Sequence, residues 1–193
     1  MARTTAASGA LAVRKAGILA GGGVLLSLVF GLLTGLPAQA HAETVGAFEI
    51  VATDPGQPLD GGDYSYSGNV LEIKTDKPVT VSMANPDATT NTDRIVVSSL
   101  AADITLAGVK IKLSVDDDCA FEIKSNASAK LTLAEGSANS LVSGTYRAGL
   151  KVPAGASVSI GGEGSLEAKC FSEVRAYGAG IGGDQGGSAG SIE

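Results

Sequence analysis

From Val70 onward the chain alternates apolar and polar residues in short runs separated by turns. Leu71 and Ile73 share one face, as do Val79 with Val81, Ile95 with Val97, and Ile104 with Leu106. The pattern continues through Val109/Ile111/Leu113, Phe121/Ile123, Leu131/Leu133, Leu150/Val152 and Val158/Ile160. A period of two places successive side chains on opposite faces of a strand, so each run predicts a half-buried β-strand. No run after residue 42 has a helical period. Residues 43–69 read as an approach segment, with Phe48-Glu49-Ile50-Val51 as a capping strand, followed by the breakers Pro55, Gly56, Pro58, Gly61 and Gly62.

The strands also recur. Leu71-Glu72-Ile73-Lys74 resembles Phe121-Glu122-Ile123-Lys124, and Ala148-Gly149-Leu150 resembles Ala179-Gly180-Ile181. First-strand positions fall at Leu71, Ile95, Phe121, Leu150 and Ile181, with steps that grow from 24 to 31 residues. Ile104/Leu106, Leu131/Leu133 and Val158/Ile160 are evenly spaced. One such unit cannot bury its own apolar face, whereas stacked units bury a continuous core. The expected fold is all-β, a parallel β-helix of about 4–5 coils over residues 70–193. An antiparallel β-sandwich is the competing architecture, because short strands at regular spacing also suit it. A sandwich does not require equivalent positions to recur every coil, so the repeat favours the helix.

Upstream lies a different pattern. Arg3, Arg14 and Lys15 precede an apolar or small-residue run from Ala16 to Leu36, then Pro37 and two overlapping A-x-A sites ending at Ala42. Basic, apolar and small-residue zones in this order predict a helical signal peptide over residues 1–42, cleaved after Ala42. An uncleaved anchor is the alternative, since the run approaches the length that spans a bilayer. Either reading puts the remainder outside the cytoplasm, extracellular or at the cell surface, with membrane contact only transient if the peptide is removed.

Cleavage changes the composition that matters. It leaves 151 of the 193 residues, enough for one domain. Loss of three of the 14 basic residues against 20 acidic ones shifts the net charge from −6 to about −9. Such a surface repels phosphate backbones, so no nucleic-acid partner is expected. It also removes His41, the single histidine, and with it histidine-dependent nucleophilic and zinc chemistry. With 27 glycines and no tryptophan, the core must come from Val, Ile, Leu and Ala. Cys119 and Cys170 would sit in an oxidising compartment, either paired or as two buried free thiols.

Between Ala101 and Gly183 the sequence resembles a known family. Its marks are Asp103-Ile104-Thr105-Leu106-Ala107-Gly108-Val109, Cys119-Ala120-Phe121-Glu122-Ile123, the stretch from Leu131 to Leu141, and the glycine turns Gly161–Leu166 and Gly178–Gly183. In these it resembles the β-helical carbohydrate-binding domains of bacterial secreted and surface proteins. The resemblance implies a right-handed parallel β-helix like that of pectate lyases without their catalysis. It further implies polysaccharide binding, sometimes with calcium, within large surface proteins. The end at Ser191-Ile192-Glu193 reads as the opening of another strand with no cap or anchor, so an N-terminal fragment is expected.

Candidate chemistry is sparse. Tyr146-Arg147 and Arg175-Ala176-Tyr177 occur in comparable loops, each just before an Ala-Gly-Leu/Ile strand. If the coils stack in register, the two pairs lie on one edge, where rings and guanidinium forks suit an acidic or hydroxyl-rich sugar. Surface packing over the loops is the plainer alternative. Asp116-Asp117-Asp118 could supply oxygen ligands for calcium, but consecutive residues cannot all point at one ion, so a solvated acidic turn has the better claim. Gly182-Gly183-Asp184-Gln185-Gly186-Gly187 has no phosphate-loop lysine and reads as a turn. The expectation is a non-catalytic carbohydrate-binding or adhesin-type module with no obligatory cofactor. A passive solenoid stalk, or a calcium-dependent polysaccharide lyase using Arg147 as base, are the alternatives.

Overall fold

The structure, a computed structural model, describes residues 41–113, 118–171 and 177–193. The predicted signal peptide lies almost wholly outside these residues, as do Asp116, Asp117 and Arg175. Every element among the described residues is a strand.

The chain winds into a solenoid of about four turns bounded by three sheets. The first turn holds β4 (Val70–Ile73) and β5 (Val79–Met83), with Thr90 bridging to the third side. The second holds β6 (Arg94–Val97), β7 (Ala102–Ala107) and β8 (Lys110–Lys112). The third holds β9 (Phe121–Ile123), β10 (Ser128–Leu133) and β11 (Ala138–Ser143). The fourth holds β12 (Leu150–Lys151), β13 (Ser157–Gly162) and β14 (Ser165–Cys170), and β15 (Ile181–Gly182) and β16 (Ser191–Ile192) continue the winding.

Apart from one isolated antiparallel bridge between Pro153 and Ala189, all strand-to-strand pairings between turns are parallel, which disposes of the antiparallel sandwich. Leu71 pairs with Ile95, Ile95 with Phe121, Phe121 with Leu150, and Leu150 with Ile181. These are the first-strand positions read from the sequence. A second spacing differs. Even steps of 27 residues would lay Val158 over Leu131, but the pairing is Leu131 with Ile160 and Ala129 with Val158. The longer third turn absorbs the two extra residues, and a shift of two leaves the buried face unchanged.

Antiparallel strands close the N-terminal end. β1 (Glu43–Val45) pairs β2 (Phe48–Ala52), which lies antiparallel on β5. β3 (Tyr64–Ser67) forms a hairpin onto β4. These strands saturate the sheet edges that the first turn would otherwise expose. The cap is tied down by polar side chains. Tyr64 donates to Glu43, the Ala47 amide donates to Asp93 at 2.6 Å, and Lys77 meets Asp63 at 2.8 Å.

The interior consists of aligned apolar columns. Leu71, Ile95, Phe121 and Leu150 form one, and Val81 and Leu106 belong to another that Leu133 extends; the first six of these residues are inaccessible to solvent. Turns between strands use left-handed backbone where the chain must bend sharply. Asn126 (φ 67°) and Gly155 (φ 81°) occupy one register position in successive turns, being two residues before the paired Ser128 and Ser157. Asparagine and glycine tolerate this conformation better than other residues.

One buried polar side chain ties three turns together. Asn139 Oδ1 accepts from the amides of Gly108 (3.0 Å) and Val109 (2.9 Å) in the turn below. Its Nδ2 donates to the Ser165 carbonyl in the turn above, at 3.1 Å, and to Ser137 Oγ at 3.1 Å. Asn139→Ala removes all four bonds and strands buried amides. The expected loss is about 2–4 kcal/mol, read as a lower urea midpoint with an unchanged denaturant slope. A midpoint within error of the parent would show that water replaces the side chain.

Candidate functional site

Residues 144–149, between β11 and β12, and residues 177–180, just before β15, lie one above the other at the same corner of the solenoid. Tyr146 stands four residues before Leu150, and Tyr177 four before its partner Ile181. Their rings stack with centroids 5.5 Å apart and an interplanar angle of 18°. Each residue is 43% exposed. The two segments touch closely: the Tyr177 amide donates to the Thr145 carbonyl at 3.1 Å, and a Cβ on Gly178 would collide with the Arg147 carbonyl. Glycine at 178 therefore permits the approach that lays one ring over the other. The structure thus brings together the two tyrosines that the sequence placed on one edge.

Arg147 does not project from this edge as a free fork. Its Nη1 donates to Asp184 Oδ2 at 2.9 Å. Asp184 is the hub of this corner, with its side chain only 14% exposed. Its Oδ1 accepts from the Ala148 amide at 3.0 Å and the Cys119 thiol at 3.4 Å, and Lys151 Nζ lies 3.1 Å from Oδ2. Lys151 also meets Glu122 at 3.0 Å; Glu122 meets Arg94 at 3.4 Å, and Arg94 meets Asp118 at 3.4 Å. Asp118, Arg94, Glu122, Lys151, Asp184 and Arg147 form one chain of alternating charges along the outer face of the β4–β15 sheet. This accounts for Asp118, the described member of the acidic run. No group of three or more metal-ligating His, Cys, Asp or Glu side chains occurs among the described residues.

The network sets the local protonation. Burial pushes the Asp184 carboxyl up, but the Ala148 amide, Lys151 and Arg147 outweigh it and hold it below the usual carboxylate range. Burial likewise opposes the charge on Lys151, and Glu122 and Asp184 overcome it, so its ammonium titrates above the ordinary value. The Cys119 thiol is pushed up to about 12, first by burial and then by the Asp184 charge. Cys119 and Cys170 are both buried and free, which resolves the cysteine question in favour of two thiols without a disulfide.

A second feature was not anticipated from the sequence. The outer face of the β8–β11–β14 sheet forms a groove of about 810 Å³. Lys110, Lys112 and Lys169 line it with Glu167 and Phe171, and Lys112 Nζ lies 5.3 Å from the Phe171 ring centre. The run Val109/Ile111/Leu113 was visible as a strand, but β14 was not read as one, and only the register sets the charged residues of β8 and β14 on either side of β11. Asp184 was also missed, because it sits in a glycine-rich stretch that reads as a plain turn.

No protein-family model matches this chain, and neither a curated protein nor a solved structure matches it.

Two outcomes follow from this geometry. Asp184, with its folded-state pKa depressed, stabilises the fold above the ordinary carboxylate pKa, and that contribution disappears as pH falls through the lower folded value. Asp184→Asn should therefore flatten the loss of thermal stability below about pH 4 while lowering the melting temperature at pH 6–7. An acid limb as steep as the parent's would show that other carboxylates govern it. Cys119, with a thiolate population of about 10⁻⁴ at pH 8, should resist iodoacetamide in the native protein and react once urea unfolds it. Rapid native alkylation of Cys119, located by peptide mapping, would contradict this.

Proposed function

We propose that the chain is an exported, cell-surface carbohydrate-binding module of adhesin type, built on a right-handed β-helix and acting without catalysis. The observation that carries this reading is the Tyr146–Tyr177 stack, two large rings held exposed at one edge. Burial would ordinarily claim such area, and exposed aromatics on a rigid support are a common way to meet the apolar face of a ligand that also carries hydroxyls. Parallel coils suit the role because they hold recognition loops in a fixed register with little reorganisation. Right-handed winding is the hand favoured by parallel crossovers.

Export is supported by the basic, apolar and small-residue zones of residues 1–42. The non-catalytic reading is supported by Arg147, the residue best placed in sequence for a lyase base. Its guanidinium is engaged by Asp184 at 2.9 Å and positions the corner.

Retention on a panel of immobilised polysaccharides tests the proposal. The parent protein should be retarded on at least one glycan, and Tyr146→Ala or Tyr177→Ala should weaken retention roughly 2- to 10-fold with unchanged circular dichroism. Failure of the parent to be retained on any glycan would overturn the reading. Equal retention by the tyrosine variants would remove the stack from it.

A further inference from the structure

We propose that the groove on the β8–β11–β14 sheet binds an anionic polysaccharide that carries one charge per disaccharide, lying along the solenoid axis. This rests on the glycan reading above and adds a second contact surface with its own charge rule.

The register supplies the argument. Lys110 and Glu167 both pair with Ser140, and Lys112 and Lys169 both pair with Val142. Two rows therefore cross the three strands along the axis. One reads Lys110, Ser140, Glu167. The other reads Lys112, Val142, Lys169, with a cation, an apolar residue and a cation in successive turns. Neighbouring strands lie about 4.8 Å apart, so the two cations stand on strands about 10 Å apart. The rise per turn is close to the length of one sugar in an extended hexose chain. An anion over Lys112 and the next over Lys169 would then belong to alternate sugars, with an uncharged sugar over Val142.

The charges reinforce this placement. No carboxylate among the described residues pairs with Lys110 or Lys112. Lys110 Nζ reaches the Pro86 carbonyl at 2.7 Å, and the exposed Lys112 ammonium lies over Phe171. Lys169 pairs with Glu167 at 2.7 Å, but both side chains are more than half exposed, and such pairs contribute little and yield to a ligand. Glu167 repels anions from the far end of the first row, which leaves the Lys112–Lys169 row as the track for charge. Phe171, also in the lining, offers an apolar face beside Lys112. The volume falls in the range of ligand sites. Three lysines gathered on a chain of net charge −6 favour a sparsely charged polymer over nucleic acid, whose dense phosphates the rest of the surface repels.

Calorimetric titration with hyaluronan oligosaccharides, which carry one carboxylate per disaccharide, tests the inference. Carboxyl-reduced hyaluronan, polygalacturonate with a carboxylate on every sugar, and a thymidine oligonucleotide serve as comparators. Hyaluronan should bind most tightly and weaken with salt, and Lys112→Gln and Lys169→Gln should each cost roughly tenfold. Lys112→Arg should retain binding, and Tyr146→Ala should leave the lysine dependence intact. Lysine variants that bind hyaluronan like the parent would overturn the inference. So would equal affinity for polygalacturonate, or oligonucleotide binding with the same lysine dependence and no hyaluronan binding. If tyrosine-dependent retention on the glycan panel persists while the lysine variants change nothing, only the groove assignment fails. If no glycan binds, both readings fail.

Discussion

Every other feature of this molecule depends on parallel, in-register stacking of one turn on the next. Backbone hydrogen bonds fix the rise near 4.8 Å, and that spacing lays each side chain over its counterpart in the turn below. Inside, the consequence is apolar columns such as Leu71, Ile95, Phe121 and Leu150, all fully enclosed. Such columns bury area only jointly, so the stability of each turn depends on its neighbours. A buried polar group is tolerated in this setting when it bonds across turns. Asn139 does so, reaching the turn below through Gly108 and Val109 and the turn above through Ser165.

The same stacking organises the exterior, where like residues would repel. The outer face of the β4–β15 sheet avoids this by alternating sign, as in the run from Asp118 through Arg94, Glu122, Lys151 and Asp184 to Arg147. Its members are partly shielded, and each central charge contacts two of opposite sign. Lys124 meeting Glu72 at 2.6 Å bridges the first and third turns in the same manner. Where alternation stops, the surface changes character. The corner carrying Tyr146 and Tyr177 exposes stacked rings, and the β8–β11–β14 face gathers three lysines. These departures from a balanced solvated surface are the places where binding is proposed.

Much of the fold was legible in the residues themselves. Alternation with a period of two marks strands because side chains of a strand alternate faces whatever the fold. Recurrence at Leu71, Ile95, Phe121, Leu150 and Ile181 marks turns, because a column needs an apolar residue at each level. Stacking of Tyr146 over Tyr177 follows from the same register, as both stand four residues before a column position. The two-residue slip at Val158 was not legible: any even shift preserves the buried pattern, and only the pairing of Leu131 with Ile160 selects among them.

By itself, then, the sequence determined the all-β character, the repeat, the aligned tyrosines and the acidic balance, since these follow from local periodicity and composition. Tertiary structure alone decided what each polar side chain faces. It turned Arg147 towards Asp184, left Cys119 and Cys170 apart as free thiols, and aligned Lys112 with Lys169 across an intervening strand. The physical reason is distance along the chain. Asp184 lies 37 residues from Arg147 and 65 from Cys119, so their contacts exist only after the turns have closed over one another.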